Sequence, residues 1–372
     1  MRIIERGIVF DGTNSPKISS CTFPSLCQLQ SGKILFSFKG SPQKGPFDTD
    51  ECGYTCVSDD NGKTYSAPVK MFDAPVADGK PTTIRTLYYL GLKGGKVLAV
   101  LNAIDASAEQ LPFYNEETEG LKDTFIMYAM SDDNGDTFGK LNRLQVQSFI
   151  DTPIPLTGAP SLLADGRIVI QFEVNKTYYD MKPWTHNSVA VYSRDGGKTW
   201  GDEVIITNHP HMYYWDQRIS VVGDRVLDLF WSFDRASGDY VNIHACESLD
   251  NGKSYGEVFD TGLVGQPGNA VSSGDNEICC VYINRELSPI VKLAVSSDFG
   301  RTWRDEITVY DSGQKRCTSE RLSMNEAWSE MGAFSVGHPF ITRLHDGTIV
   351  AYYYAGDTTH RTDIHWVKVA TD

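Results

Sequence analysis

Six times along the chain a polar or glycine-rich turn hands over to a short apolar run. Gly32 precedes Ile34 and Leu35, Gly95 precedes Val97 and Leu98, and Gly166 precedes Ile168 and Val169. The same step recurs from Gly223 to Val226 and Leu227, from Gly274 to Ile278, and from Gly347 to Ile349 and Val350. Runs this short, bounded by turn residues, predict strands rather than helices. Five units carry a second signal, S-x-D-x-G-x-[ST]-aromatic, at 58–65, 131–138, 193–200, 248–255 and 296–303. Its Asp60, Asp133, Asp195, Asp250 and Asp298 are suited to accept backbone N–H bonds within a hairpin turn, and the glycine two residues on permits a positive φ. The closing aromatic then packs against the sheet.

Each unit therefore reads as strand, turn, strand, variable loop, strand, second turn, strand. The 372 residues shared among six units give about 62 each. Four-stranded units repeated radially predict an all-β fold, a six-bladed β-propeller of antiparallel blades spanning 1–372 as one domain. The sixth unit lacks the aromatic-ended turn, and the partly apolar stretch 2–10 is available to close the ring as its outermost strand.

Composition fits this reading: 33 glycines supply the turns, and 18 tyrosines, 17 phenylalanines and 7 tryptophans supply wide, flat side chains for packed strands. No apolar run approaches the ~18 residues of a membrane-spanning helix. The opening Met1-Arg2-Ile3-Ile4-Glu5-Arg6 lacks the apolar stretch of a secretory signal, so a cytoplasmic location without a membrane partner is the expectation. The formal charge of −14 argues against a nucleic-acid partner, which calls for a basic surface. Eight cysteines without a CxxC pair or zinc-ligand spacing predict buried free thiols. Cys279 and Cys280, adjacent in a strand, are expected to point to opposite faces. No metal or cofactor is expected.

The five turn motifs are those of the Asp-box, or BNR, repeat, and with six units the chain resembles the sialidase (neuraminidase) superfamily of six-bladed propellers over nearly its full length. That resemblance implies a carbohydrate-active enzyme whose chemistry sits in the loops at the mouth of the central funnel. It also implies an arginine opening the first blade and a nucleophilic tyrosine ahead of the innermost strand of the sixth. In the matching stretches this chain has Cys21-Thr22-Phe23-Pro24, with Thr22 at the arginine's place, and Val336-Gly337-His338-Pro339-Phe340, with no tyrosine. These departures predict a substrate other than sialic acid. The loop matching that of the family's acid aspartate, 39–53, contains Asp48, Asp50 and Glu51, and Ile283-Asn284-Arg285 echoes an Asn-x-Arg-like strand ending.

Aligning the units on their glycine turns places at the mouth Thr22 and Phe23, Arg85, Gly158, the stretch 213–218, Gln266 and His338. Ends of second strands add Lys39, Asn102, Glu173, Asp234, Arg235, Arg285 and Asp357. The fourth unit is the most loaded, because Tyr213, Tyr214, Trp215, Asp216 and Arg218 combine aromatic faces for the C–H side of a sugar ring with groups that bind its hydroxyls. Trp215 serves equally well as filler between blades, and Asp216 with Arg218 as a structural ion pair. His209 and His211 have no third ligand nearby in sequence and read as loop residues. The acidic stretch 105–123, with Phe113 and Tyr114, is a lid or a solvated excursion; the stretch 316–331 brings further carboxylates, including Glu326.

The expected function is an exo-acting glycoside hydrolase on a glycan or oligosaccharide. Hydrolysis calls for two carboxyl groups across the scissile bond. The catalytic candidates are Asp50, with Asp48 as alternate acid, and Glu326 or Asp216 as partner, beside His338. Arg218, Arg285, Trp215, Tyr214, Arg85, Arg235 and Gln266 are the binding candidates. Two alternatives stand beside it. One is a polysaccharide lyase in which His338 or a tyrosine of the 213–214 pair removes the C5 proton of a uronic acid. The other is a glycan-binding propeller without catalysis.

Overall fold

The computed structural model describes residues 1–44, 50–108, 110–274, 276–314 and 324–371, with six antiparallel sheets around a central funnel. The first blade consists of Ser20–Gln28, Ile34–Ser41 and Cys52–Ser58, with its outer edge reduced to a bridge between Thr55 and Val69. The second is built on Lys80–Gly91, Val97–Asp105 and Thr124–Ser131 with short flanking pairs, and the third on Ser161–Leu162, Ile168–Val174, Asn187–Ser193 and Gly201–Asn208. Met212–Val222, Arg225–Asp234, His244–Ser248 and Phe259–Asp260 make the fourth; Gln266–Gly274, Glu277–Asn284, Ile290–Ser296 and Arg304–Asp311 make the fifth. In the sixth, Val336–Arg343, Ile349–Thr358 and Arg361–Ala370 are followed by Arg2–Phe10, which runs antiparallel from Arg2 opposite Ala370 to Phe10 opposite Ile364.

The second strand of a blade faces a neighbouring blade on each side, so its apolar residues run on without the alternation of a half-exposed strand. Every residue of Ile34–Ser41 and of Ile168–Val174 is buried. Six hydrophobic clusters fill the six seams between blades. Phe36, Phe38, Tyr352 and Tyr354 join the first and sixth, for example, and Leu98, Val100, Ile168 and Phe172 join the second and third. Cys279 belongs to the seam between blades five and six and Cys280 to that between four and five, as opposite faces of one strand require. All seven described cysteines are buried and unpaired.

The five aromatic-ended turns share one set of bonds. In the fourth blade Asp250 Oδ1 accepts the N–H of Lys253 and Ser254 at 3.0 and 2.9 Å, and Ser248 Oγ, which donates to Asp250, accepts the N–H of Gly252 at 2.7 Å. Gly252 has φ +75°, open to glycine at no steric cost. These turns also tie blades together. The inner hairpin of one blade reaches the turn of the next, through Lys33 Nζ to the Asn134 carbonyl at 3.2 Å, Arg167 to the Asn251 carbonyl, and Asp346 accepting from Asn61 at 2.7 Å across the junction of blades six and one.

Candidate functional site at the funnel mouth

Where the innermost strands reach the mouth, their pairing with the second strand breaks register, between Thr22 and Ser25, Ile84 and Thr86, Trp215 and Arg218, Pro267 and Ala270, and Gly337 and Phe340. Such bulges re-aim side chains. At three of them a non-glycine residue takes the left-handed conformation: Phe23 (φ +55°), Asp216 (φ +48°) and His338 (φ +41°). Each costs of order 1 kcal/mol or more, and strain of this kind gathers at functional sites. The three side chains converge: the His338 ring lies 3.9 Å from that of Phe23, and its Nε2 lies 3.9 Å from Oδ2 of Asp216.

Asp216 is the hub of a buried polar network. Its backbone N–H donates to Glu173 Oε1 at 2.7 Å, Gln266 donates to its Oδ2, and Arg218 Nη2 stands 3.6 Å from its Oδ1. Glu173 is backed by the buried His186, with Nε2 3.3 Å from Oε2, and Gln266 is fixed by Arg285 Nη1 at 2.6 Å. Arg285 also donates to the Val336 carbonyl at 2.9 Å and lies over the Phe334 ring. Burial, with the neighbouring Glu173 charge, raises the Asp216 carboxyl above the usual carboxylate value against the opposing pull of Arg218. Burial and the cations Arg218, Lys44, Arg285 and Lys39 hold the His338 imidazole well below its ordinary value, which keeps it neutral at pH 7.

A second carboxylate is locked beside this network. Glu51, buried at the end of the 39–53 loop, pairs with Lys39 at 2.8 Å and Arg85 at 3.3 Å and accepts the Thr83 hydroxyl at 2.9 Å. Burial pushes its pKa up, but Arg85 and Lys39 with the hydrogen bonds outweigh that and bring it below the ordinary value.

The cavity holds about 530 Å³ and has a polar and an apolar side. Its apolar wall belongs to a seventh hydrophobic cluster outside the blade seams, in which Tyr114, Trp215, Trp231 and Phe334 meet. Two segments beyond the basic blade carry this wall. The helix Met324–Gly332 leads into Phe334. Residues 110–121 are fastened by the Leu121–Thr177 bridge, by Asn115 donating to the Tyr178 carbonyl at 2.8 Å, and by the ion pair of Glu119 with Arg235 at 2.6 Å. The acidic excursion is thus a fixed wall that presents Phe113 and Tyr114 to the cavity.

Of the residues singled out from sequence, Arg85, Trp215, Asp216, Gln266 and His338 line this cavity. Arg218 and Arg285 stand behind it as supports. Asp216 and Arg218 do form an ion pair, and Trp215 both packs on Phe233 at 5.2 Å and lines the cavity. Other placements correct the expectation. Asp50 is exposed and not among the lining residues, because the strand that begins at Cys52 turns its neighbour Glu51 inward instead. Glu326 is exposed on its helix, outside the lining. Tyr214 alternates away from the funnel into the seam of blades three and four, against Phe230 and His244. Arg235 is spent on Glu119 and the Tyr213 hydroxyl. Asp48 lies outside the described residues. His209 Nδ1 accepts the N–H of His211 and Met212, a loop role. Sequence reasoning named Glu173 only as a strand ending and missed His186, Trp231, Phe334 and Thr157. Trp231 sits mid-strand, where position in a repeat gives no hint of the mouth.

Residues 110–351 match the family model of the BNR repeat-like domain. No curated protein matches the sequence. Among solved structures the chain is similar to a Dyadobacter fermentans protein of unknown function, at 17% identity and TM-score 0.73 over 99% of this chain and 98% of that one. It is similar to a Hadza microbial sialidase at 14% identity and TM-score 0.69, over 96% and 67% of the two chains. It is also similar to a Penicillium chrysogenum α-L-arabinanase complexed with arabinobiose, at 15% identity and TM-score 0.59 over 99% of both.

Proposed function

Because the chain belongs to the BNR repeat-like domain family, we propose that its funnel mouth is the active site of an exo-acting glycoside hydrolase, related to sialidases in fold and altered in substrate. The observation that carries this reading is the Asp216 carboxyl. It faces a cavity of sugar size, is held back from ionising by burial and by Glu173, and is fixed by Gln266 and Arg218. A carboxyl with a raised pKa is what a general acid needs in order to protonate a leaving glycosidic oxygen. Glu173 and Glu116 are the other described carboxyls on the cavity lining, and the base that activates water is drawn from them. Trp215 and Trp231 supply apolar faces for the ring. The names of the similar structures, a sialidase and an arabinanase, support a carbohydrate substrate.

A screen of aryl glycosides, neutral and acidic, tests the reading. Release of the phenol is expected for at least one, and Asp216→Asn is expected to lower kcat by about 10²–10⁴-fold. Full activity in that variant removes Asp216 from the role. The neutral His338 imidazole, a competent base, favours a lyase as the second reading. An unsaturated product absorbing in the ultraviolet identifies it, and binding without turnover of any kind identifies a glycan-binding propeller.

A further inference from the structure

Most cations at the mouth are committed to the protein. Arg218 is held by Asp216 and the Thr157 carbonyl, Arg285 by Gln266 and the Val336 carbonyl, Lys39 by Glu51 at 2.8 Å, and Lys44 by the Phe334 carbonyl at 2.7 Å. Arg85 differs. Its Nε is bound to Glu51 at 3.3 Å, while its terminal Nη1 and Nη2 have no partner among the described residues. Arg85 is the extra residue of the bulge between Ile84 and Thr86, its side chain is 20% exposed, and it lies on the cavity lining. Its position is fixed on two sides. The buried Glu51 carboxylate holds the inner edge, and Phe113 covers one face, with the guanidinium carbon 4.3 Å from the ring centroid. A guanidinium held in this way presents its outer edge with little rotamer entropy left to lose on binding.

The charges around this edge have a matching sign. Lys39, Lys44 and Arg85 line the cavity from the first two blades, and the single carboxylate of Glu51 is shared between Lys39 and Arg85. The lining carboxyls Glu173 and Asp216 come from the third and fourth blades, and Glu116 is exposed on the segment 110–121. Lys44 and Lys39 are among the charges that hold down the His338 imidazole, so their potential reaches into the mouth. A planar anion with two oxygens fits a fixed guanidinium edge in such a field, because a carboxylate accepts both terminal N–H groups in parallel.

Resting on the glycoside-hydrolase reading, we infer that Arg85 is the anchor for a carboxylate carried by the substrate, and that the substrate class is a glycan ending in a hexuronic acid. Arg85 and Asp216 stand two blades apart on the same lining. That separation suits a sugar whose carboxylate and glycosidic bond sit on different ring atoms, C5 and C1 of a hexuronide. The carboxylate then lies at the cationic side of the cavity and the scissile bond at the side of Asp216.

The test is calorimetric titration of the wild type, Arg85→Gln and Arg85→Lys with the methyl glycosides of D-galacturonate and D-glucuronate, with those of galactose and glucose, with a sulfated methyl galactoside, and with N-acetylneuraminate. In the wild type a uronide is expected to bind about tenfold or more tightly than its neutral counterpart. Arg85→Gln is expected to bring that ratio near one, and Arg85→Lys, which keeps the charge but not the paired edge, to recover only part of it. A preference kept in full by Arg85→Gln overturns the anchor. Arg85 also pairs with Glu51, so the wild-type ratio serves as the measurement that an unfolded variant does not obscure. Equal or weaker binding of the uronide there overturns the anchor and leaves the hydrolase reading standing. A sulfate ester bound as tightly as the uronide overturns carboxylate recognition, and tighter binding of N-acetylneuraminate overturns the hexuronic class. Uronide binding without release of phenol from its aryl glycoside supports the anchor and counts against the hydrolase reading. Binding of no sugar at all overturns both.

Discussion

Asp216 and His338 occupy the same bulge of the innermost strand in blades four and six, both in left-handed backbone conformation, and face each other with Nε2 3.9 Å from Oδ2. The surroundings favour the uncharged form of each: burial raises the carboxyl, and burial with four cations lowers the imidazole. A carboxyl whose pKa is raised thus stands beside an imidazole whose pKa is lowered.

His338 sets a pH dependence with a definite sign. Its folded pKa lies below the unfolded value of about 6.5, so between the two the unfolded chain binds a proton that the native one does not, and stability falls as pH drops through that window. The ring resonances of His338 are expected to stay at neutral-imidazole positions as pH falls through about 6.5 in an NMR titration, and His338→Phe to flatten the fall in Tm below that pH. A titration midpoint near 6.5 contradicts the assignment.

Glu51→Gln removes the carboxylate that pairs with both Lys39 and Arg85. Breaking these pairs around a fully buried carboxylate is expected to cost up to about 3–5 kcal/mol in urea unfolding at pH 7. Because the Glu51 pKa is lowered in the fold, its contribution is present above the unfolded value of about 4.3 and is lost as pH falls through the folded value. The gap between wild type and variant therefore narrows below about pH 4. A gap that is constant with pH argues against the ion pairs as its source.

Ser248→Ala leaves the buried N–H of Gly252 without its acceptor and removes one of the hydrogen bonds to Asp250, whose pKa is held at about 2 by the turn's hydrogen bonds despite some burial. The expected loss is about 1–3 kcal/mol, with glycan binding unchanged, since the turn is remote from the mouth. A change in ligand affinity without a change in denaturation midpoint is the contrary result.

Deletion of residues 2–10 strips the outer strand from blade six, together with Val9, buried in the seam to blade one, and Ile3, packed on the seam to blade five. A drop of about 10 °C or more in Tm is expected by scanning calorimetry. An unchanged Tm shows that the sheet does not depend on this strand.

The repeated turns were legible because their chemistry is local. Asp250, Gly252 and Tyr255 act within one hairpin, and spacing alone reveals them. Aligning units on those turns also brought Arg85, Asp216, Gln266 and His338 to the mouth, since a propeller repeats each position around its axis. What stayed hidden depends on distance or on a single flip of side-chain direction. Nothing near Glu51 in the sequence distinguishes it from Asp50; the difference is which one the strand turns towards Lys39 and Arg85. Tyr214 and Trp215 are neighbours of similar character, and the alternation of the strand sends one to the seam and the other to the funnel. Trp231 and Phe334 meet only because residues 110–121 and 324–334 fold over the same blade, a contact with no local signature.

The sheet of blade six draws on both ends of the chain, with Ile3 paired to Val369. During synthesis the strand Arg2–Phe10 is therefore made long before its partner. The blades between can form as they emerge, but residues 2–10 remain without their ladder until Arg361–Ala370 has left the ribosome. The same segment carries alternating apolar residues, Ile4 and Ile8 among them, that stay exposed even in the finished ring. Its charged Arg2, Glu5 and Arg6 then act as a guard against pairing with a second nascent chain during that wait.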